Sequence, residues 1–234
     1  MNYINEIHLK ETESTNTYAK ALLKAGEPLM PYTLILTESQ TTGRGRLGRS
    51  WESTKGESLC MSLITPHPNN PCITLIAALG VYRTLKEYCE NLLIKWPNDL
   101  IAGNKKLCGI LTESTESAAV IGIGINLNNI LFAEEIKHKA TSLKLLTNKD
   151  YSPKEIATKT AENIRLLLEN SQGKLNEELL HEYTSVCANI GKEVRFQDKT
   201  GVVTHIGKDG SLIVKTEDTT ESVSSGEVIV SGIY

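Results

Sequence analysis

The chain has 234 residues, a length that suits one domain of ordinary size or one domain with a small appendage. Hydrophobic residues make up 40% of it and charged residues 23%, which permits a sizeable core and excludes a disordered tail. With 25 basic and 28 acidic residues its net charge is −3, so it lacks the basic excess that is typical of proteins devoted to DNA or RNA.

Helical and strand patterns alternate through the first 190 residues. Ser14 or Thr15 can cap a helix over residues 16–25, which Gly26 ends. The other elements predicted in this part are strands over 33–37, 59–64, 92–96 and 118–127, helices over 73–88 and 175–186, a helix over 153–169 capped by Ser152, and a hairpin that turns at Gly103 and Asn104.

Beyond residue 190 the pattern changes to short alternating strands. They are predicted over residues 193–197, 201–206, 212–216 and 228–230, with turns rich in glycine, aspartate and serine between them. Such spacing is typical of a small all-β barrel. We therefore predict one domain over residues 1–189 and a second over residues 190–234.

Nothing in the sequence indicates export or a membrane span. The N-terminus has no basic start followed by an apolar run and a cleavage site, and every apolar stretch falls short of the ~20 residues that a span needs. The five cysteines are odd in number with no C-x-x-C pair, and the five histidines are scattered, which disfavours a disulfide framework or a protein-held metal. These features predict a reducing, cytoplasmic setting.

The loop over residues 43–49 holds three glycines and three arginines in seven residues. Glycine lets the backbone approach a ligand closely, and arginine presents a charged fork that suits phosphate. The string matches G-x-G-x-x-G, but no helix follows it and no acidic residue stands ~20 positions on, so a dinucleotide fold is disfavoured. We interpret this arginine loop as one that wraps an anionic ligand, and we expect disorder without the ligand because fixing three glycines is entropically unfavourable.

Two further segments can complete an anion site. Asn98 and Asp99 follow a predicted strand and could hold a nucleobase, a ribose or Mg²⁺, although Pro-Asn-Asp is also ordinary turn chemistry. Lys105 and Lys106 begin the next strand, and by alternation only one of them can face a pocket. Cys108 is expected to share the face of Lys106, and we interpret it as small packing rather than as a nucleophile.

Taken in chain order, these motifs resemble those of the biotin protein ligase family. The matching segments are 13–16, 40–51, 95–99, 105–111, 122–126, 140–143 and 225–228, which span nearly the whole chain. The arginine loop together with the Lys-Trp-Pro-Asn-Asp segment is the specific part of the match. The resemblance implies an α+β fold, with a mixed β-sheet flanked by helices as in class II aminoacyl-tRNA synthetases and a small C-terminal SH3-like β-barrel.

The resemblance also implies a two-step activity. Biotin and MgATP would give biotinyl-5′-AMP and pyrophosphate, and a lysine of the biotin carboxyl carrier protein domain of a biotin-dependent carboxylase would then accept the biotinyl group. No nucleophilic enzyme residue is needed, and catalysis would rest on arginine and lysine electrostatics and on positioning. The implied partners exclude DNA and membranes and allow a homodimer. Since the Ser-Thr-Asn motif begins at Ser14, the likeness is to the short form without an N-terminal DNA-binding domain.

Individual residues receive roles from the same resemblance. Lys106, Arg46 and Arg49 would be the catalytic cations, with Lys106 between the biotin carboxylate and the α-phosphate. The residues assigned to biotin are Ser14, Thr15, Asn16, Gln40, Gly43, Arg44, Gly45, Arg46, Lys106 and Gly109. The residues assigned to ATP are Arg46, Arg49, Trp51, Asn98, Asp99, Lys106 and Asn126, with Trp51 stacked on adenine and Asp99 the candidate Mg²⁺ ligand. Gly109, Gly122 and Gly124 would give the ligand room.

Two alternatives remain open at this point. A lipoate or octanoate ligase of the same fold would act on an acid that lacks the ureido ring. A catalytically silent binding module would keep the cavity and lose the chemistry. The presence of all four cations, Arg44, Arg46, Arg49 and Lys106, favours an active enzyme over the second alternative.

Overall fold

The computed structural model describes residues 4–234, and a seven-stranded mixed sheet forms its larger part. Its strands are β1 (Asn5–Leu9), β2 (Thr33–Thr37), β3 (Ser58–Thr65), β4 (Leu92–Lys95), β5 (Asp99–Ala102), β6 (Lys105–Ser114) and β7 (Ala119–Asn126). They are ordered β1-β2-β3-β7-β6-β5-β4; β1 runs parallel to β2, and the other neighbours are antiparallel. The predicted α+β class with a mixed sheet is therefore confirmed.

The helices are α1 (Thr15–Lys24), α2 (Ile73–Leu85), α3 (Leu143–Thr147), α4 (Pro153–Ser171) and α5 (Glu177–Val186). The predicted cap of α4 is present, since the Ser152 hydroxyl accepts a hydrogen bond from the Glu155 amide. Ser14 stands at the N-cap of α1 but makes no capping bond with its side chain. The hydroxyl of Ser14 is thereby left for the cavity beside this helix end. No helix in residues 4–234 is long and apolar enough to span a membrane.

The two faces of the sheet differ in the size of their side chains. On β7, Ile121, Ile123 and Ile125 belong to the large core beneath α2 and α4. Val120 points the other way, into a smaller core with residues of α1. Because strand side chains alternate, Gly122 and Gly124 lie on the same face of β7 as Val120. Beyond the N-terminal end of α1, this face of β7 therefore carries no side chains at positions 122 and 124. This bare region of the sheet is where the candidate site lies.

The C-terminal part is a second, fully antiparallel sheet. Its strands are β8 (Glu193–Phe196), β9 (Lys199–Ile206), β10 (Leu212–Lys215), β11 (Thr220–Val223) and β12 (Val228–Val230), in the order β11-β10-β9-β8-β12. It packs against the larger sheet, and the indole N–H of Trp96 donates to the Gly210 carbonyl oxygen at 3.0 Å. Buried apolar residues of both parts, such as Ile94 and Phe196, belong to one continuous core.

Candidate active site

Three of the cavities beside the arginine loop share Trp51 and Lys106 in their walls. The inner cavity, about 50 Å³, is lined by every residue assigned to biotin except Gly43. The outer cavity, about 470 Å³, includes Arg49 and Asn126 in its lining. A cleft of about 150 Å³ lies between them and is lined by Arg46, Asn98 and Asp99 among others. Gly43 lies outside these cavities at the base of the arginine loop, where its carbonyl oxygen accepts a hydrogen bond from the Trp51 amide. The chain thus places the residues assigned to an acid beside those assigned to a nucleotide.

The polar end of the inner cavity is a closed hydrogen-bond network. The Thr15 amide donates to Gln40 Oε1 at 2.9 Å. The fully buried Ser62 hydroxyl lies 2.7 Å from both Thr15 Oγ1 and Asn16 Oδ1. Asn16 Nδ2 donates to Glu113 Oε2 at 2.8 Å. These contacts fix the start of α1 against the sheet, so the groups facing the cavity are held in place before a ligand arrives.

Ser62 and Glu113 were not predicted as part of the site. Ser62 stands in an apolar strand, and a buried hydroxyl there needs a partner, which is a usable signal. Glu113 also forms an ion pair with Lys20 of α1. Burial raises the pKa of Glu113, but the hydrogen bonds from Lys20 and Asn16 outweigh burial and leave the pKa below its ordinary value.

The three glycines of the bare sheet region make room for protein side chains. A Cβ at Gly122 would lie 2.4 Å from Asn16 Oδ1, and one at Gly124 would lie 2.3 Å from Trp51 Cε2. A Cβ at Gly109 would stand 3.0 Å from Lys106 Cε. We expected these glycines to give a ligand room. In the structure the room is filled by Asn16, Trp51 and Lys106, which then form the cavity walls.

Asp99 is the centre of a polar cluster between the two cavities. Its Oδ1 lies 2.8 Å from Lys106 Nζ and accepts from Asn98 Nδ2 at 3.1 Å. The Tyr234 hydroxyl donates to Oδ2. Asn98 in turn accepts a hydrogen bond from Arg46 at 2.7 Å through its Oδ1 atom. Two of the three cations assigned to catalysis are therefore tied to one carboxylate, one directly and one through an amide.

Lys95 and Tyr234 are the remaining members of this polar cluster. The Lys95 ammonium lies 3.8 Å from the centre of the Tyr234 ring, a cation–π contact. Burial lowers the pKa of Lys95. Burial and the neighbouring Asp99 raise the pKa of Tyr234, so its hydroxyl stays protonated. Lys95 was part of a recognised motif, but neither residue was given a role from the sequence.

The arginine loop is folded as a small hairpin. The Gly45 amide donates to the Arg49 carbonyl oxygen at 2.7 Å, and a single 3₁₀ turn spans Arg46–Gly48. Arg49 forms an ion pair with Glu227 of the C-terminal sheet, and Arg46 donates to the Gly226 carbonyl oxygen at 3.2 Å. Contacts from the second sheet hold the loop in this conformation, and the disorder expected without ligand stays a prediction. The pKa of Arg49 is raised by its hydrogen bond with Glu227.

The expectation that Cys108 shares the face of Lys106 is wrong. The pairing of β5 with β6 shifts register, so that Leu100 faces Cys108 while Ile101 faces Lys106. This β-bulge breaks the alternation, and Lys106 lies beside Gly109 instead. Cys108 is fully buried in the core, and burial raises its pKa far above the ordinary thiol range. Its interpretation as packing is confirmed.

The cluster around Asp99 does not fit a resident metal ion. Both Asp99 oxygens accept from protein donors, and one of those donors is an ammonium group that a cation would repel. Residues 4–234 contain no group of three or more histidine, cysteine, aspartate or glutamate side chains arranged to hold a metal. The candidate role of Asp99 as a Mg²⁺ ligand is therefore not supported by its contacts.

Comparison with known proteins places both sheets in one family. A sequence model of the biotin/lipoate A/B protein ligase family matches residues 9–128, just over half of the chain. A model of the biotin protein ligase C-terminal domain matches residues 190–231. The solved structure of a biotin protein ligase from Aquifex aeolicus in complex with biotin and ATP is 32% identical, with a TM-score of 0.84, and the match covers 97% of this chain and 98% of that one.

Curated relatives agree with the structural match. The bifunctional ligase/repressor BirA of Bacillus subtilis is 31% identical over 221 residues, which cover 84% of this chain and 65% of that protein. A biotin–[acetyl-CoA-carboxylase] ligase of Mycobacterium tuberculosis is 29% identical over 233 residues, covering 94% of this chain and 86% of that protein. The chain thus spans about two thirds of the Bacillus relative and most of the mycobacterial one. With a shared fold, a matched C-terminal sheet and family motifs gathered at one site, this chain belongs to the biotin/lipoate A/B protein ligase family.

Proposed function

We propose that the protein is a biotin protein ligase. It would join biotin to ATP as biotinyl-5′-AMP and pass the biotinyl group to a lysine of a biotin carboxyl carrier protein domain. The observation that carries the proposal is the junction of the inner and outer cavities at Lys106 and Trp51. An acid in the first cavity and a nucleotide in the second would meet there beside a cation, as adenylate formation requires.

The polar end of the inner cavity favours biotin over a plain acyl chain. A ureido ring offers one acceptor and two donors, which suit the hydroxyl and amide groups of Thr15, Asn16 and Gln40. Lipoate and octanoate have no ureido group, so they would form none of the hydrogen bonds that biotin could make with these groups. The match of residues 190–231 to a biotin protein ligase domain supports the same choice.

In the first step the biotin carboxylate would attack the α-phosphorus of ATP. The bond to the bridging oxygen of pyrophosphate breaks, and pyrophosphate leaves with that electron pair. Lys106 would contact the carboxylate and the α-phosphate while it keeps its contact with Asp99, and Arg46 and Arg49 would neutralise charge on the phosphates. In the second step the neutral lysine amine of the carrier would attack the anhydride carbonyl carbon. The bond from that carbon to the phosphate oxygen breaks, AMP leaves with the electron pair, and the amine nitrogen loses one proton to solvent as the amide forms.

Mg²⁺ enters this proposal as part of the substrate MgATP. Since Asp99 is engaged by Lys106 and Tyr234, the phosphate oxygens rather than a protein cage would hold the ion. We further propose a reducing cytoplasmic setting, which the five free buried cysteines support, and no DNA or membrane partner, with either a monomer or a homodimer compatible with the proposal.

The test is pyrophosphate release from MgATP with biotin, lipoate or octanoate supplied separately. We expect release that depends on biotin alone, followed by transfer of labelled biotin to a purified carrier domain. Release with lipoate or octanoate would move the protein to the other branch of its family. No release with any of the three acids would contradict the ligase function.

A further inference from the structure

The hydroxyl of Tyr234, in the C-terminal part of the chain, belongs to the polar cluster that contacts Lys106 and Arg46. Tyr234 donates to Asp99 Oδ2, while Asp99 Oδ1 contacts Lys106 Nζ at 2.8 Å and Asn98 Nδ2 at 3.1 Å. Asn98 accepts from Arg46 at 2.7 Å. A continuous chain of polar contacts thus runs from Tyr234 to both cations.

We propose that Tyr234 is a positioning residue for adenylate formation, because its hydroxyl sets the orientation of Asp99 and thereby the positions of Lys106 and Arg46. This inference rests on the proposed ligase function. A carboxylate on a single-bond stem can rotate, and a fixed donor on Oδ2 stabilises the rotamer in which Oδ1 faces Lys106 and Asn98. Positioning of this kind matters because small displacements of a charged group weaken its interaction with a developing charge.

The Tyr234 ring is itself fixed in place, which the proposed role requires. Lys95 lies 3.8 Å from the ring centre, and both residues line the cleft between the two cavities. Tyr234 follows β12, and Glu227, at the start of the same strand region, pairs with Arg49. The C-terminal part therefore reaches all three cations: Arg49 through Glu227, Arg46 through the Gly226 carbonyl oxygen, and Lys106 through Asp99.

The decisive variant is Tyr234→Phe, which removes one oxygen atom and keeps the ring over Lys95. We expect kcat for biotin-dependent pyrophosphate release to fall about tenfold, with KM for biotin changed less than about twofold. The matched control is Tyr151→Phe, which removes the contact between the Tyr151 hydroxyl and Thr147 at 2.8 Å, outside the three cavities. This control should retain the wild-type rate.

A double-mutant cycle with Asp99→Asn separates positioning from packing. If Tyr234 acts through Asp99, the double variant should be no slower than Asp99→Asn alone. Three outcomes would each overturn the inference. They are a wild-type kcat in Tyr234→Phe, additive losses in the cycle, and a Tyr234→Phe protein that is unfolded at the assay temperature. A wild-type protein that forms no adenylate with any acid would instead overturn the proposed function, which keeps the two failures distinct.

Discussion

Trp51 occupies the space above Gly124 that any other residue at position 124 would fill, since a Cβ there would lie 2.3 Å from Trp51 Cε2. We predict that Gly124→Ala displaces the indole from the wall of the outer cavity. ATP affinity should fall about tenfold or more, while biotin affinity should change less than about threefold. Isothermal titration with each ligand separately would measure both effects.

Gly122→Ala is the reciprocal test, two residues away on the same face of β7. A Cβ there would lie 2.4 Å from Asn16 Oδ1, so the substitution disturbs the polar end of the inner cavity. We expect biotin affinity to fall by about tenfold or more and ATP affinity to be retained. Equal losses of both ligands in both variants would contradict the division into an acid cavity and a nucleotide cavity.

Lys106→Ala should abolish adenylate formation and leave the fold intact. Its ammonium is the cation shared by all three cavities, and removal of such a group from a developing charge costs a rate factor of about 10³. Single-turnover pyrophosphate release measures the rate, and circular dichroism measures the thermal unfolding. Lys105→Ala, at the exposed neighbouring position, is the control and should keep its rate. Unchanged adenylation in Lys106→Ala would refute its role.

Glu227→Gln should strengthen ATP binding. Arg49 is paired with Glu227 here, and it must leave that carboxylate to reach a phosphate. Exposed ion pairs are worth about 0.2–1 kcal/mol, which corresponds to an affinity gain of at most about fivefold. Glu221→Gln, which removes the equivalent pair with Lys199 elsewhere on the second sheet, should have no effect. Weaker ATP binding in Glu227→Gln would show that the carboxylate assists binding instead.

Stability should depend on pH through Glu113. Its folded-state pKa is below the ordinary value of 4.5, so its contribution is complete above that value and is lost as the pH falls through the folded-state pKa. The difference in unfolding free energy between wild type and Glu113→Gln should be largest near pH 7 and shrink below about pH 4. Urea titrations at several pH values would measure it. Glu217→Gln, in an exposed turn, is the matched surface control for the substitution itself.

Local patterns predicted most of the secondary structure. The hairpin at Gly103 and Asn104 has both turn residues at positive φ, as its sequence indicates. Strand β1 and strand β11 were missed because each is short and only partly apolar, so no clear alternation marks it. Alternation indicated that only one of Lys105 and Lys106 can face a pocket, and in the structure Lys106 does so. The face of Cys108 was assigned wrongly, because one extra residue in β6 reverses the alternation.

The contacts between the two sheets could not be predicted from spacing. Arg49 and Glu227 are 178 positions apart, and Tyr234 and Asp99 are 135 apart. Only the packed fold brings such pairs together, because turns and periodicity act over a few residues. The motif segments indicated which residues meet around the ligands, whereas the groups that hold those residues, Ser62, Glu113 and Tyr234, became visible only in three dimensions.

The two sheets are joined by the hydrogen bond between Trp96 and Gly210 and by one continuous core. The free energies of unfolding of the two sheets are therefore coupled. A substrate that binds only the folded protein stabilises it by RT ln(1 + [L]/Kd), about 2.7 kcal/mol at a hundredfold excess over Kd. Because the small sheet shares a core with the large one, that stabilisation extends to β10 and its neighbours. Amide hydrogen exchange in the second sheet would therefore slow when biotin and ATP saturate a site built mainly on the first.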